Sequence, residues 1–127
     1  MKSIYTKNAP EPIGPYSQAV KAGGFVFVSG QVGKDPVSGA IKNENIKVET
    51  LMVMANVKNV LEAAGLTMAS VVKTTIFLTN MDDFGQVNEV YGSFFTGNYP
   101  ARETVQVSRL PLNVNVEISV IAVAESA

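Results

Sequence analysis

The sequence contains no cysteine, no histidine and no tryptophan. Without cysteine there is no disulfide, no thiolate metal ligand and no thiol nucleophile. Without histidine the commonest general base at neutral pH, and the commonest metal ligand, is missing. Ser-His-Asp catalysis and histidine-based RNA cleavage are therefore excluded within the chain. Arginine occurs only twice, as Arg102 and Arg109. Charge is sparse and balanced: ten basic against eleven acidic residues leave a net charge of -1. That argues against the basic surface on which broad nucleic-acid binding depends, so no nucleic-acid partner is expected. No apolar run approaches the ~20 residues needed to span a bilayer. The opening Met-Lys-Ser-Ile-Tyr-Thr-Lys-Asn leads into no signal-peptide core. A cytoplasmic location without membrane association is the expectation. Chemistry, if any, must come from Glu, Asp, Lys, Tyr, Ser, Thr, Arg or the backbone.

What is present is a globular composition. The 127 residues are 46% hydrophobic and 17% charged, enough for one core and one domain spanning 1–127. Two segments carry helical rhythm. From Lys47 to Ala64, Met54, Val57, Leu61 and Ala64 fall on one face, and Gly65 supplies a C-terminal stop. From Asp82 to Phe95, Phe84, Val87, Val90, Tyr91 and Phe94 form a stripe, with Asp82 or Asp83 as the expected N-cap. Strand character marks Ser17–Lys21 and Phe25–Ser29, joined through Gly23-Gly24, and also Val71–Leu78, Thr104–Val107 and Val116–Val123. Gly33–Asn45, with Pro36 and Gly39, reads as a loop.

This order predicts an α+β fold, a mixed β-sheet with two helices packed on one face and a right-handed crossover through the first helix. Two helices protect only one side of such a sheet. Yet Ile118, Val120 and Ala122 alternate with Ile121 and Val123, and Val26 and Val28 alternate with Phe25 and Phe27. Strands apolar on both sides are ordinarily buried on both sides. A second copy of the chain is expected to cover the remaining face.

Few residues are placed to do chemistry. Arg102 follows Pro100 into a strand; its planar fork matches a carboxylate, or pairs with Glu103 or Glu117. Thr104, two residues on, shares its face. Glu117 opens an apolar strand, where burial raises a carboxyl toward neutrality and a nearby arginine lowers it; otherwise it is a solvated strand end. Tyr16 emerges from the Gly14-Pro15 turn, as the wall of a small-ligand pocket or as a core-edge ring. Ser29-Gly30 ends a strand, either allowing close approach of a ligand to the backbone or simply leading into the loop. Asn88 lies off the apolar stripe of the second helix, where it is solvated or bonds a neighbour.

These residues also carry a resemblance. Ile13-Gly14-Pro15-Tyr16-Ser17-Gln18-Ala19, Val28-Ser29-Gly30-Gln31, Asn56-Val57-Lys58 through Gly65 and Val72-Lys73-Thr74-Thr75-Ile76-Phe77-Leu78 are followed by Val87-Asn88-Glu89-Val90-Tyr91, Pro100-Ala101-Arg102, Leu110-Pro111 and Val116-Glu117-Ile118. In this order the chain resembles the RidA/YjgF family of reactive enamine/imine deaminases, from near its N-terminus to Val123. The resemblance implies a chorismate-mutase-like fold whose sheets form a barrel in a homotrimer, with sites in clefts between subunits. It implies hydrolysis of 2-aminoacrylate and related enamines or imines to 2-keto acids and ammonia, without metal or cofactor. Arg102 then binds the substrate carboxylate and Glu117 orients water. Tyr16, Ser29, Gly30 and Asn88 line or support the pocket, and Thr104 binds substrate beside Arg102. The small ligand is a 2-imino or 2-keto acid. Many deaminating members carry cysteine where this chain has Thr104. Glu103 beside the arginine and a short loop before Tyr99 are further departures. A non-enzymatic sensor of small carboxylic acids is the alternative expectation. An endoribonuclease or translation inhibitor fits the composition less well.

Overall fold

The structure, a computed structural model, describes residues 1–124. Six strands and two helices follow in the order β1 (Lys2–Ile4), β2 (Ala19–Ala22), β3 (Phe25–Gln31), α1 (Ile46–Ala63), β4 (Val71–Leu78), α2 (Phe84–Gly92), β5 (Ala101–Gln106) and β6 (Val116–Val123). They form one mixed sheet of order β1-β2-β3-β6-β4-β5. Only β4 and β5 run parallel; every other pairing is antiparallel. The expected α+β sheet with two helices is therefore present. No helix among the described residues is long and apolar enough to cross a membrane.

Local chemistry accounts for the elements. Gly23 and Gly24 have φ of 58° and 80° and close the β2–β3 hairpin, a pair of left-handed conformations for which glycine is suited. Asn45 caps α1 by accepting from the Val48 N–H at 2.9 Å. At the other end, Gly65 (φ 77°) donates to the Glu62 carbonyl and Leu66 donates to that of Leu61, each at 2.9 Å. This pair of bonds satisfies carbonyls that the helix end leaves free. The expected aspartate cap of the second helix is corrected. Asn80 accepts from the Asp82 N–H at 2.9 Å and caps a short 3-10 turn, and α2 begins only at Phe84, with no cap bond from Asp83. Other bounds differ too: β2 starts at Ala19, β3 runs to Gln31, α2 ends at Gly92 and β5 spans Ala101–Gln106, while β1 adds a short edge strand.

One cluster fills the space between sheet and helices. Val26 and Val28 of β3, Ile76 and Leu78 of β4, and Ile118, Val120 and Ala122 of β6 are buried with Val53, Met54, Val57, Val60 and Leu61 of α1 and Val87 and Tyr91 of α2. Residues of the opposite parity face away. Phe25 pairs with Val123, Phe27 with Ile121, and Phe77 with both Glu117 and Val105. On this second face Phe25 is 41% exposed, Phe27 42% and Val105 43%. An apolar surface thus lies open on the side without helices.

Candidate functional site

Two clefts hold the candidate residues, and the sheet separates them. The first, of about 450 Å³, is lined by Tyr16, Ser29, Gly30 and Glu117, together with Glu11, Lys34 and the Pro111-Leu112 loop. Its floor is the crossing of β3 with β6. Ser29 Oγ donates to the Ser17 carbonyl at 2.6 Å, and the Ser29 N–H donates to the Gln18 carbonyl at 2.9 Å. These bonds tie the end of β3 to the segment carrying Tyr16. The Tyr16 N–H donates to the Gly14 carbonyl at 2.9 Å, closing the Gly-Pro turn, and its ring is half-exposed toward the cleft.

Gly30 sits directly against Glu117. A Cβ added at Gly30 would lie 2.7 Å from the Glu117 Cδ and in collision with Oε2. The glycine is thus the space into which the carboxylate folds, and the β3–β6 pairing is irregular between Val28 and Gln31 at this place. Burial raises the Glu117 carboxyl above its ordinary value. Exposed Ile13 and Leu112 form part of the rim. Leu112 and Asn113 hold φ of 63° and 54°, and Arg109 Nε braces them by donating to Asn113 Oδ1 at 2.8 Å.

The second cleft, also about 450 Å³, is lined by Asn88, Tyr91, Gly92, Tyr99, Pro100 and Arg102. Arg102 pairs in register with buried Thr74 and so faces the helix side. Its Nη1 donates to Asn88 Oδ1 at 2.6 Å. The guanidinium lies over two rings of α2, 5.5 Å from the centre of Phe84 and 5.2 Å from that of Tyr91. Asn88 is therefore neither solvated nor idle. It holds one edge of the arginine fork, and the stacked rings orient the plane. Glu103 points to the other face and pairs with Lys73 at 3.0 Å. Arg102 thus has neither Glu103 nor Glu117 as its partner. Thr104 shares the face of Arg102; its hydroxyl oxygen is buried with no hydrogen-bond partner among the described residues.

The register decides which candidates meet within a protomer. Tyr16, Ser29, Gly30 and Glu117 come together, and so do Arg102 and Asn88. The two groups do not, because Glu117 stands on the open face and Arg102 on the helix face. Several residues of these clefts carry no local mark in the sequence. Phe84 and Tyr91 read only as core, and their second role under Arg102 depends on the parallel β4–β5 pairing. Glu49, fully buried, shares an otherwise apolar face of α1 with Val53, Val57 and Val60 and carries no mark of its own.

Comparison with known proteins agrees with this arrangement of elements. The family described as Endoribonuclease L-PSP matches residues 6–124. A RutC family protein of Pyrococcus horikoshii is 51% identical over 122 residues, which cover 96% of this chain and 97% of that protein. The 2-iminobutanoate/2-iminopropanoate deaminase of Salmonella typhimurium is 46% identical over 125 residues, 96% of this chain and 97% of that enzyme. The crystal structure of E. coli TdcF with bound serine superposes with a TM-score of 0.94 at 43% identity, covering 99% of this chain and 100% of that one. With its sheet order, its two helices and nearly its whole length in common with these proteins, the chain belongs to the RidA/YjgF family.

Proposed function

We propose that the protein hydrolyses reactive 2-imino acids, and the enamines in equilibrium with them, to 2-keto acids and ammonia. The observation that carries this reading is the division of the site. An arginine fork and a carboxyl raised by burial stand in separate open clefts, and an uncovered apolar face favours further copies of the chain. In an assembly of identical subunits, the cleft with Glu117 on one copy faces the cleft with Arg102 on the next. A homotrimer with its sheets turned inward is the arrangement we favour, since the contact is then heterologous and closes on itself.

The chemistry asked of such a site is modest. Arg102, held by Asn88 and the two rings, binds the substrate carboxylate through two parallel hydrogen bonds. Thr104 lies next to Arg102 on the same strand face, its hydroxyl buried. The imine carbon then lies over Glu117, with Tyr16 and the Ser29-Gly30 backbone as walls. Glu117 accepts a proton from water as the oxygen bonds to the imine carbon, and returns that proton to the nitrogen to give the carbinolamine. Glu117 then takes the hydroxyl proton and passes it to the amine: the C–N bond breaks, the C=O bond forms and ammonia departs. Its raised proton affinity makes Glu117 a better base than an exposed carboxylate. An imine is already electrophilic, so proximity and a positioned water suffice. The deaminase name of the Salmonella relative, 46% identical, supports this reading.

The direct test generates 2-aminoacrylate in situ with a serine dehydratase and follows keto-acid release. Acceleration proportional to added protein supports the proposal. Saturable binding of keto acids without acceleration would favour the sensor reading, toward which the serine bound to TdcF leans.

A further inference from the structure

Behind the Glu117 cleft lies a charged side chain that the reaction above does not use. Glu49, in the first turn of α1, is fully buried. Its Oε2 accepts from the backbone N–H of Asn115 at 2.8 Å and from that of Val116 at 3.2 Å; its Oε1 accepts from Asn115 Nδ2 at 2.8 Å. Three donors thus converge on one carboxylate, all from the two residues that lead into Glu117. The same side chain also abuts the exit of β3: a Cβ at Gly33 would lie 2.8 Å from the Glu49 Cγ. Two turns along α1, buried Asn56 donates through Nδ2 to the carbonyls of Val32 and Lys34, each at 3.0 Å. One face of α1 therefore grips both segments whose crossing forms the cleft.

We propose that Glu49 is a positioning residue for Glu117, setting the entry of β6 against the exit of β3 so that the Glu117 carboxylate seats at Gly30. The inference rests on the reading of Glu117 as the water-activating group. Glu117 follows Val116 directly and projects to the opposite face. A shift of the Asn115–Val116 backbone therefore carries its carboxylate out of a space that admits no Cβ at Gly30.

The test separates positioning from mere support of the fold. Glu49→Ala and Glu49→Gln are compared with wild type for assembly mass, keto-acid release and titration of the Glu117 carboxyl by carbon-13 NMR. Glu11, Tyr16 and Lys34 line the same cleft, so the titration is read on the resonance of Glu117 itself. For Glu49→Ala, kcat is expected to fall by about tenfold or more with KM changed by less than about threefold, since Arg102 lies in the other cleft. The Glu117 midpoint is expected to fall as its carboxyl gains solvent. Glu49→Gln restores both, because its amide oxygen accepts the two backbone N–H groups and Asn115 can turn its own oxygen toward the new amide. An assembled Glu49→Ala protein with unchanged kcat and unchanged titration overturns the proposal. Where wild type releases no keto acid, the functional reading fails, while the titration still decides the positioning. Where Glu49→Ala does not fold, Asn115→Ala, which removes one of the three bonds, takes its place. A smaller shift in the same direction is then expected, and none would overturn the proposal.

Discussion

Truncating Arg102 to alanine tests the carboxylate clamp, and its two consequences differ in size. The first concerns stability. The variant loses a charged hydrogen bond to Asn88 at 2.6 Å and contacts with two rings at 5.5 and 5.2 Å. The guanidinium is half-buried, so solvent recovers part of each term. A net cost of about 1–2 kcal/mol follows. For a domain of this length that corresponds to a fall in Tm of roughly 4–8 °C, too little to unfold an ordinary domain. The second concerns catalysis. Removing one partner of a desolvated charge pair costs about 2–5 kcal/mol, roughly 30-fold to several-thousand-fold in kcat/KM. Arg102→Lys keeps the charge but loses the planar fork, and is expected to fall between alanine and wild type. Keto-acid release from 2-aminoacrylate supplied by a dehydratase measures the loss, and sedimentation checks that the assembly persists. An assembled Arg102→Ala protein within about threefold of wild-type kcat/KM would refute the clamp.

Three further outcomes are expected. Burial raises the Glu117 carboxyl, so the folded state holds its proton more tightly than the unfolded state, and stability declines as pH climbs from the ordinary carboxylate range through the raised value. Glu117→Gln therefore abolishes keto-acid release yet gives a higher Tm at neutral pH, a gain that closes on acidification; a gain independent of pH would contradict the burial argument. Gly30→Ala forces the Glu117 carboxylate from its seat, and is expected to lower kcat by about tenfold or more with the assembly retained; wild-type kcat would show that the carboxylate acts from elsewhere. Phe27→Asp places a charge on the open sheet face at a cost of several kcal/mol when covered, and should convert the assembly to monomers by sedimentation; an unchanged mass would remove this face from the contact.

Much of this fold is legible locally. Val71–Leu78 and Val116–Val123 carry runs of β-branched residues between polar breaks, and the strands occupy those bounds. Gly65 stops α1 because a left-handed residue is needed there. Local pattern is silent on β1, three residues paired with β2 at the sheet edge. It is silent too on the insertion of β6 between β3 and β4, which is a pairing between distant segments. The same limit governs the site. Arg102, Glu117, Tyr16, Ser29, Gly30 and Asn88 can each be picked out by residue type and neighbours. That they divide between two faces depends on the β4–β5 and β4–β6 registers, where Thr74 pairs with Arg102 and Phe77 with Glu117. The buried polar support, Glu49 and Asn56, escapes notice because both sit on an otherwise apolar helical face.

The central claim is that Arg102 of one copy works with Glu117 of another. Subunit mixing tests it most directly. Arg102→Ala and Glu117→Ala proteins are each expected to be inactive. Unfolded together and reassembled in equal amounts, they form contacts in which about one in four joins an intact Arg102 to an intact Glu117. Recovery of roughly a quarter of wild-type keto-acid release is expected. No recovery from mixed assemblies, with both variants verified in the same particles, would mean that the two groups act within a single chain or not together at all.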